Sequence, residues 1–176
     1  MDITECTPTV CTFGHQCVPS LGPTPAKLLT VTEAPGRMEL FEGTPLVGPA
    51  GKLFNKFLAQ AGIPRSEVFC ANTAGCVDLD REDKRPLPAE IEACRPRLLD
   101  DIFERAKPQA ILVMGAIAVQ YFYPGLTVSK ARGKIRNWNG IPVVATFHPA
   151  YALPHRSPEV GPLIVADIVT ALSFTR

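Results

Sequence analysis

The 176-residue sequence has no apolar run long enough to span a bilayer, since its longest apolar stretch, Ala110–Val119, fits a buried strand and a helix start. It also lacks a basic-then-apolar signal pattern at the N-terminus, which predicts a cytoplasmic location. Internal repeats and low-complexity segments are absent too. With 46% apolar and 20% charged residues, the composition predicts one globular domain over residues 1–176.

A strong excess of charge is also missing. The net charge is +1, so any contact with a nucleic acid must come from local placement of basic residues. Six cysteines are present without a signal pattern, which argues against a disulfide framework. Metal ligation or simple burial is therefore expected for these cysteines.

The apolar pattern predicts alternating strands and helices. Runs with the length and composition of strands occur at 27–33, 68–73, 110–115 and 142–147. Apolar residues recur at helical spacing at 53–61, at 89–106, in a stretch ending near 123, and at 162–174. The predicted fold is an α/β three-layer sandwich (α/β/α) with a central four-stranded parallel sheet. Residues 1–26 show no period and are predicted to be irregular.

Three segments with chemically useful residues lie at the ends of predicted strands or directly after them. They are Thr32–Gly36 (TEAPG), Asn72, and His148–Tyr151 (HPAY). Ligands of doubly wound sheets bind outside the carboxyl ends of the strands, so these segments predict a binding site.

The same segments resemble a known family. The stretch TEAPGRMELFEGTPLVGPAGKLF at 32–54 is similar to the first motif of family 4 uracil-DNA glycosylases, usually GEAPG…E…G.PFVG.AG. HPAY is similar to the family's final motif, and RPLPAEIEAC at 85–94 to its middle segment. The resemblance runs from about residue 27 to 172 in the expected order. It implies a monomeric, nucleoid-associated enzyme that binds DNA, flips out a pyrimidine, uracil by default, and hydrolyses its N-glycosidic bond.

The resemblance and the chemistry together suggest roles for four residues. Departure of the base leaves negative charge on it, and His148 is the expected donor to its carbonyl oxygen. Asn72 offers a donor and an acceptor to a pyrimidine edge. Glu33 is expected to order a water against the sugar cation, and Glu39 matches a second family carboxylate. The alternatives are a structural histidine, a capping asparagine and solvated loop carboxylates.

Three positions depart from related motifs and are expected to line the base pocket. Thr32 replaces the opening glycine, and Ala34 stands where another branch of the superfamily has a water-activating Asp. Leu46 replaces an aromatic residue, and base–aromatic stacking is worth on the order of 1–3 kcal/mol. Two alternatives to uracil excision therefore stay open. One is removal of a bulkier hydroxymethylated or glucosylated pyrimidine of phage DNA in anti-phage defence, and the other is a non-catalytic DNA-binding module.

Basic residues at every second position predict a contact with DNA. Lys130, Arg132, Lys134 and Arg136 would share one side of an extended segment and follow phosphates, or form a solvated edge strand. After the histidine, Leu153 is expected to fill the gap left by the flipped base, and Arg156 to bind phosphate.

The resemblance also implies a [4Fe–4S] cluster with four cysteine ligands. Cys76 and Cys94 match one pair of the family's ligands, and Cys6 and Cys11 are expected to supply the other, within the N-terminal segment. Cys17 and Cys70 would then be buried thiols. Whether Cys17 replaces Cys6 stays open, as do zinc binding and the absence of any metal.

Overall fold

The structure, a computed structural model, describes residues 16–83 and 85–176, and this part of the chain is built around one β-sheet. The strands are β1 Leu28–Thr32, β2 Val68–Asn72, β3 Ala110–Met114, β4 Arg136–Trp138 and β5 Ile141–Thr146. In the described ranges they form a five-stranded sheet in the order β2-β1-β3-β5-β4. The four predicted strands are all present as neighbouring parallel strands.

Register places the carboxyl ends of the parallel strands at one edge. Thr32 is opposite Asn72, and Met114 is opposite Thr146. Every residue of β1, β2 and β3 is buried, as expected for strands covered on both faces. Loops that follow these strands therefore begin side by side.

The predicted four-stranded sheet is wrong by one strand. β4 pairs antiparallel with β5, so that Trp138 lies opposite Ile141. The two-residue turn between them is Asn139–Gly140, with φ angles of +50° and +88°. Asn-Gly favours this hairpin turn because both residues accept a left-handed backbone, and that dipeptide was the signal for the extra strand.

Helices cover both faces of the sheet. Within the described ranges they are α1 Arg37–Glu42, α2 Pro49–Gln60, α3 Pro88–Asp100, α4 Ala116–Phe122, α5 Val128–Ala131 and α6 Gly161–Leu172. A π-helical turn, Asp101–Ala106, extends α3, and short 3₁₀ turns lie at Arg65–Glu67, Pro149–Ala152 and Pro158–Val160. One core packs α3 and α4 on the sheet, and the other packs α2 and α6 on its opposite face. No helix in these ranges is long and apolar enough to cross a membrane.

The expected extended basic segment is not formed. Lys130 lies in α5, a left-handed turn at Gly133 (φ +71°) follows, and Arg136 begins β4. The four basic side chains therefore do not share one side of an extended strand. Alternation in the sequence was misleading here because a helical turn and a tight turn interrupt it.

Candidate active site

A cavity of about 890 Å³ opens at the carboxyl edge of the sheet. Its wall is formed by loops that follow β1, β2, β3 and β5, together with parts of α1 and α2. Glu33, Asn72 and His148 all line it, so the three strand ends selected from the sequence converge. The volume falls within the range of small-molecule sites and is ample for a nucleobase.

A second cavity of about 650 Å³ lies beside the edge strand β2. It is bordered by Leu21–Pro23, Thr44–Val47 and residues around Arg65. Leu46 lines both cavities and is therefore a wall between them. Because Glu33, Asn72 and His148 line the first cavity, that cavity is the candidate active site.

His148 is held with a defined proton position. The Ala150 N–H donates to its Nδ1 at 3.1 Å, so Nδ1 carries no proton and the neutral ring has its N–H on Nε2. Burial lowers the pKa of His148 to about 4, against an opposing effect of Glu39 and with a further lowering by Arg156. At neutral pH the cavity is therefore lined by a neutral imidazole with one free donor, Nε2–H.

The turn after β3 allows this placement of the histidine. Gly115 has φ +92°, a conformation that L side chains rarely adopt. A Cβ at this position would lie 3.1 Å from the Cβ of His148. Glycine therefore lets the two loops approach at the floor of the cavity.

Asn72 is fixed at its side chain and at its backbone. It is 4% exposed, and the Thr32 hydroxyl donates a hydrogen bond to its Oδ1. The Arg97 guanidinium donates to the Asn72 carbonyl oxygen at 2.8 Å. The sequence predicted that Asn72 and Thr32 would line the pocket, and both do; Arg97 was not predicted.

Glu33 lies half-buried in the same wall. Its backbone oxygen accepts hydrogen bonds from the Thr73 hydroxyl at 2.6 Å and the Ala74 N–H at 3.0 Å. Burial raises the pKa of Glu33, Arg85 lowers it and Asp83 raises it again. The carboxylate is thus held in a partly desolvated position next to charges of the 77–88 loop.

Glu39 has a structural task in addition to lining the cavity. One carboxylate oxygen accepts from the Val47 N–H at 3.1 Å and from the Gly48 N–H at 2.8 Å, at the start of α2. A negative charge at a helix N-terminus is favourable. Glu39 is therefore not a solvated loop charge, and its contact with a base stays a prediction. Ala34 lines the cavity with a methyl group, so this position supplies no carboxylate.

Aromatic surface in the cavity comes from Phe147, which sequence reasoning missed. Phe147 precedes His148, lines the cavity and stacks on Tyr151 with ring centroids 5.8 Å apart. The Arg132 guanidinium lies 5.3 Å from the centroid of the Phe147 ring. Its position directly after a buried strand and before the predicted histidine was the available signal. Although Leu46 replaces the aromatic residue of the related motif, Phe147 provides the cavity with an aromatic ring.

Arg132 is engaged in an ion pair. It bonds both carboxylate oxygens of Asp167, at 2.7 Å and 3.1 Å, and the Leu163 carbonyl oxygen at 3.2 Å. Asp167 of α6 therefore holds Arg132 against the Phe147 ring, and the predicted contact of Arg132 with a phosphate would compete with this ion pair.

The cavity is lined by arginines as well as by carboxylates, since Asp83 lines it in addition to Glu33 and Glu39. Arg37, Arg85 and Arg156 line it, and Leu153 lies half-buried beside them. Of these, Arg156 and Leu153 were predicted to contact DNA, whereas Arg37 and Arg85 were not. Lys130 and Lys134 are exposed but do not line the cavity.

A buried ion-pair network supports the floor of the site. Asp101 is fully buried and bonds Arg97 at 3.1 Å and Arg105 at 2.5 Å. The Ser20 hydroxyl also donates to Asp101, at 2.5 Å. Since Arg97 also holds the Asn72 carbonyl, the network connects the N-terminal segment, α3 and the end of β2.

Three cysteines from the N-terminal segment, the loop after β2 and α3 lie near one another. Cys17 and Cys76 are directly opposite in an antiparallel bridge, which places their Cβ atoms about 4.5–5.5 Å apart on one face. The Cys94 thiol is hydrogen-bonded to Cys76, and the Gly75 N–H donates to Cys94 Sγ at 3.4 Å. In residues 16–83 and 85–176 no three Cys, His, Asp or Glu side chains are grouped closely enough to hold a metal ion.

The cysteine predictions are met in part. Cys17 and Cys70 are buried as expected, and Cys17 lies opposite Cys76. Cys6 and Cys11 lie outside the described residues. Cysteine thiolates are the donors that an iron–sulfur cluster requires, so the chemistry of Cys17, Cys76 and Cys94 fits such a cluster, although their spacing in the described residues does not form a metal site.

Comparisons with known proteins agree with the motifs. The family model of the uracil DNA glycosylase superfamily matches residues 19–166. The chain is 36% identical over 153 residues to the type-4 uracil-DNA glycosylase of Thermotoga maritima, covering 85% of this chain and 78% of that protein. For the type-4 enzyme of Archaeoglobus fulgidus the identity is 34% over 145 residues, covering 77% and 71%. For that of Saccharolobus solfataricus it is 35% over 151 residues, covering 80% and 68%. The chain therefore belongs to the uracil-DNA glycosylase superfamily, a family of DNA glycosylases, as its motifs predicted.

Proposed function

We propose that this protein excises uracil from DNA by hydrolysing the N-glycosidic bond. The observation that carries the proposal is the convergence of Glu33, Asn72 and the neutral His148 in one cavity at the carboxyl edge of the sheet. The type-4 uracil-DNA glycosylases that the chain is similar to support the choice of uracil.

The base enters the cavity after leaving the DNA stack. Asn72 pairs with the polar edge of the pyrimidine, and Phe147 supplies an aromatic face. The rim arginines Arg37, Arg85 and Arg156 bind the flanking phosphates, and Leu153 fills the space that the base vacates. Lys130 and Lys134 add a weaker, more distant attraction for DNA.

Cleavage breaks the bond between N1 of the base and C1′ of the sugar. The electron pair stays with the base, and negative charge develops on its O2. His148 Nε2–H donates to that oxygen and stabilises the departing anion, which needs a neutral donor with a fixed tautomer. A water molecule then adds to the C1′ cation and loses a proton, giving an abasic site and the free base.

Glu33 acts on the sugar side of this reaction. Its carboxylate orders the water and stabilises the positive charge at C1′. Because Ala34 provides no second carboxylate, bond cleavage runs ahead of water attack. Electrostatic stabilisation of the two charged fragments therefore does most of the catalytic work.

A bulkier pyrimidine is the second candidate substrate. Leu46 separates the base cavity from the 650 Å³ cavity, and its side chain is 8% exposed. A leucine at this wall can yield toward the second cavity more readily than a larger aromatic ring. This arrangement favours a hydroxymethylated or glucosylated base as the alternative to uracil.

Base release from defined DNA tests these functions. We expect the purified protein to release uracil from an oligonucleotide with a single uracil and to leave an alkali-labile abasic site. Phage DNA with hydroxymethylated or glucosylated pyrimidines is assayed in parallel by chromatography of the released bases. Release of modified bases alone would favour the second candidate. Absence of release from either DNA, with DNA binding retained, would indicate a non-catalytic binding module.

A [4Fe–4S] cluster is proposed as the resident cofactor. Cys17, Cys76 and Cys94 would hold it together with Cys6 or Cys11 from the N-terminal segment. Its contribution is structural, because it joins residues 16–22 to the start of the 77–88 loop and to α3. No step of the reaction passes through it.

Removing one ligand is expected to remove the cluster. Cys17→Ala and Cys94→Ala should each lose most of the bound iron and the visible absorbance of the purified protein. Cys70→Ala is the matched control, because Cys70 is a buried thiol bonded to Thr30 within the sheet. If Cys17→Ala retains its full iron content, Cys17 is not a ligand, and the two N-terminal ligands would be Cys6 and Cys11.

A further inference from the structure

Thr32 and Asn72 form a polar pair at the floor of the candidate active site. They are directly opposite at the carboxyl ends of β1 and β2. Both side chains are almost completely buried, at 3% and 4% exposure, and both residues line the cavity. The Thr32 hydroxyl donates its proton to Asn72 Oδ1.

This hydrogen bond distinguishes the two ends of the Asn72 amide. An amide has an acceptor oxygen and a donor nitrogen of nearly equal size, so rotation by 180° exchanges them at little steric cost. In the reversed orientation Thr32 would accept from Nδ2, and its own proton would lose the acceptor that it has in Oδ1. Leaving a buried donor unpaired is unfavourable, so Thr32 holds Oδ1 toward β1 and leaves Nδ2 for the cavity.

We propose that Thr32 is a specificity-determining residue that makes Asn72 accept 4-oxo pyrimidines and reject 4-amino pyrimidines. Asn72 Nδ2–H donates to the O4 of uracil, and the second lone pair of Oδ1 accepts the N3–H. Cytosine offers an amino group and an unprotonated N3 at the same places, so both contacts would fail. This inference rests on the proposed function, since it concerns the base bound in that cavity.

The proposed orientation of Asn72 depends on the hydroxyl group of Thr32 and not on its backbone. The backbone of Thr32 accepts from the Thr73 N–H at 2.9 Å, and that contact does not depend on the side chain. Valine has nearly the shape of threonine and is suited to a buried strand end. Thr32→Val therefore removes the orienting proton while retaining the packing.

The test compares uracil and cytosine in wild type, Thr32→Val and Thr32→Ser. Single-turnover rates are measured on oligonucleotides with one uracil or one unpaired cytosine, and binding of the free bases is measured by calorimetry. We expect Thr32→Val to reduce the preference for uracil roughly tenfold, the effect of about one hydrogen bond. Thr32→Ser retains the hydroxyl and should stay close to wild type.

Thr30→Val is the matched control. Thr30 is a buried threonine of the same strand, its hydroxyl bonds Phe69 and Cys70, and it does not line the cavity. It should leave the preference unchanged. A folded Thr32→Val protein with the wild-type preference would overturn the inference, as would a wild type that binds both bases equally. The two proposals can fail separately, because binding of a free base does not require cleavage. A wild-type protein that binds uracil in preference to cytosine but releases no uracil from DNA would contradict the proposed function and not the role of Thr32.

Discussion

Replacing His148 with alanine is expected to slow base release by about 10²–10³-fold, the usual effect of removing one donor to a developing oxyanion. The structure leaves Nε2–H free to donate because Ala150 occupies Nδ1. Single-turnover cleavage of a uracil oligonucleotide measures the effect without product release. Affinity for DNA should change little, because the contact strengthens only as the bond breaks.

His155→Ala is the control for this variant, since His155 is exposed. Its cleavage rate should match that of wild type. A His148→Ala protein that cleaves within tenfold of wild type would show that another group stabilises the departing base.

The pH dependence should show that His148 works as a neutral donor. With its pKa lowered to about 4, the rate should be insensitive to His148 between about pH 5.5 and 8 and fall near pH 4. An imidazolium donor would instead lose activity as the pH rises through about 6.5. Protonation of Glu33, whose pKa is raised by burial, would also lower the rate as the pH falls, so the profile of Glu33→Gln assigns the acid limb.

The free energy of unfolding should also depend on the protonation of His148. In the unfolded chain a histidine binds a proton near pH 6.5, whereas His148 in the folded protein binds it near pH 4. The unfolded state therefore takes up more protons as the pH falls through this window. The contribution of His148 to stability decreases from pH 6.5 to 4.

Asp101→Ala is expected to lower the free energy of unfolding by about 3–5 kcal/mol, because it leaves buried guanidinium groups without their partner. Asp101 is completely buried, and Arg97 is 10% exposed. Thermal unfolding followed by circular dichroism should show a decrease in Tm of roughly 6–20 °C for a chain of this length.

An exposed ion pair provides the control for Asp101. Arg95 and Glu92 are 3.3 Å apart on α3, with side chains 53% and 71% exposed. Glu92→Ala should cost at most about 1 kcal/mol. Equal, small effects of the two substitutions would mean that the Asp101 network adds little to stability.

Sequence patterns were sufficient for the central sheet and for the residues at its strand ends. Continuous apolar runs are typical of strands covered on both faces, and they placed Asn72 at the end of β2 and His148 just beyond the end of β5. Since parallel strands end at one edge, their convergence followed from the fold class. The helical spacing of apolar residues likewise predicted α2, α3, α4 and α6 with bounds within a few residues, but it did not predict the short helices α1 and α5.

Contacts that depend on register or on distant segments were not predicted. Thr32 and Asn72 are 40 positions apart, and only the pairing of β1 with β2 brings them together. Arg97 and Asp101 are spaced as a helical ion pair, but nothing local indicates that Arg97 also holds the Asn72 carbonyl. The basic alternation failed because Gly133 turns the chain.

Residues 16–22 also cover the edge strand β2, so that it cannot pair with a strand of another molecule. Leu21 and Cys70 exchange two backbone hydrogen bonds, at 3.0 Å and 2.8 Å, along the outer margin of β2. At the other margin, β4 is three residues long and includes an exposed arginine. Short, charged or covered margins prevent strands of separate molecules from joining. A shortened chain without residues 16–22 would bare the β2 margin and become prone to aggregate.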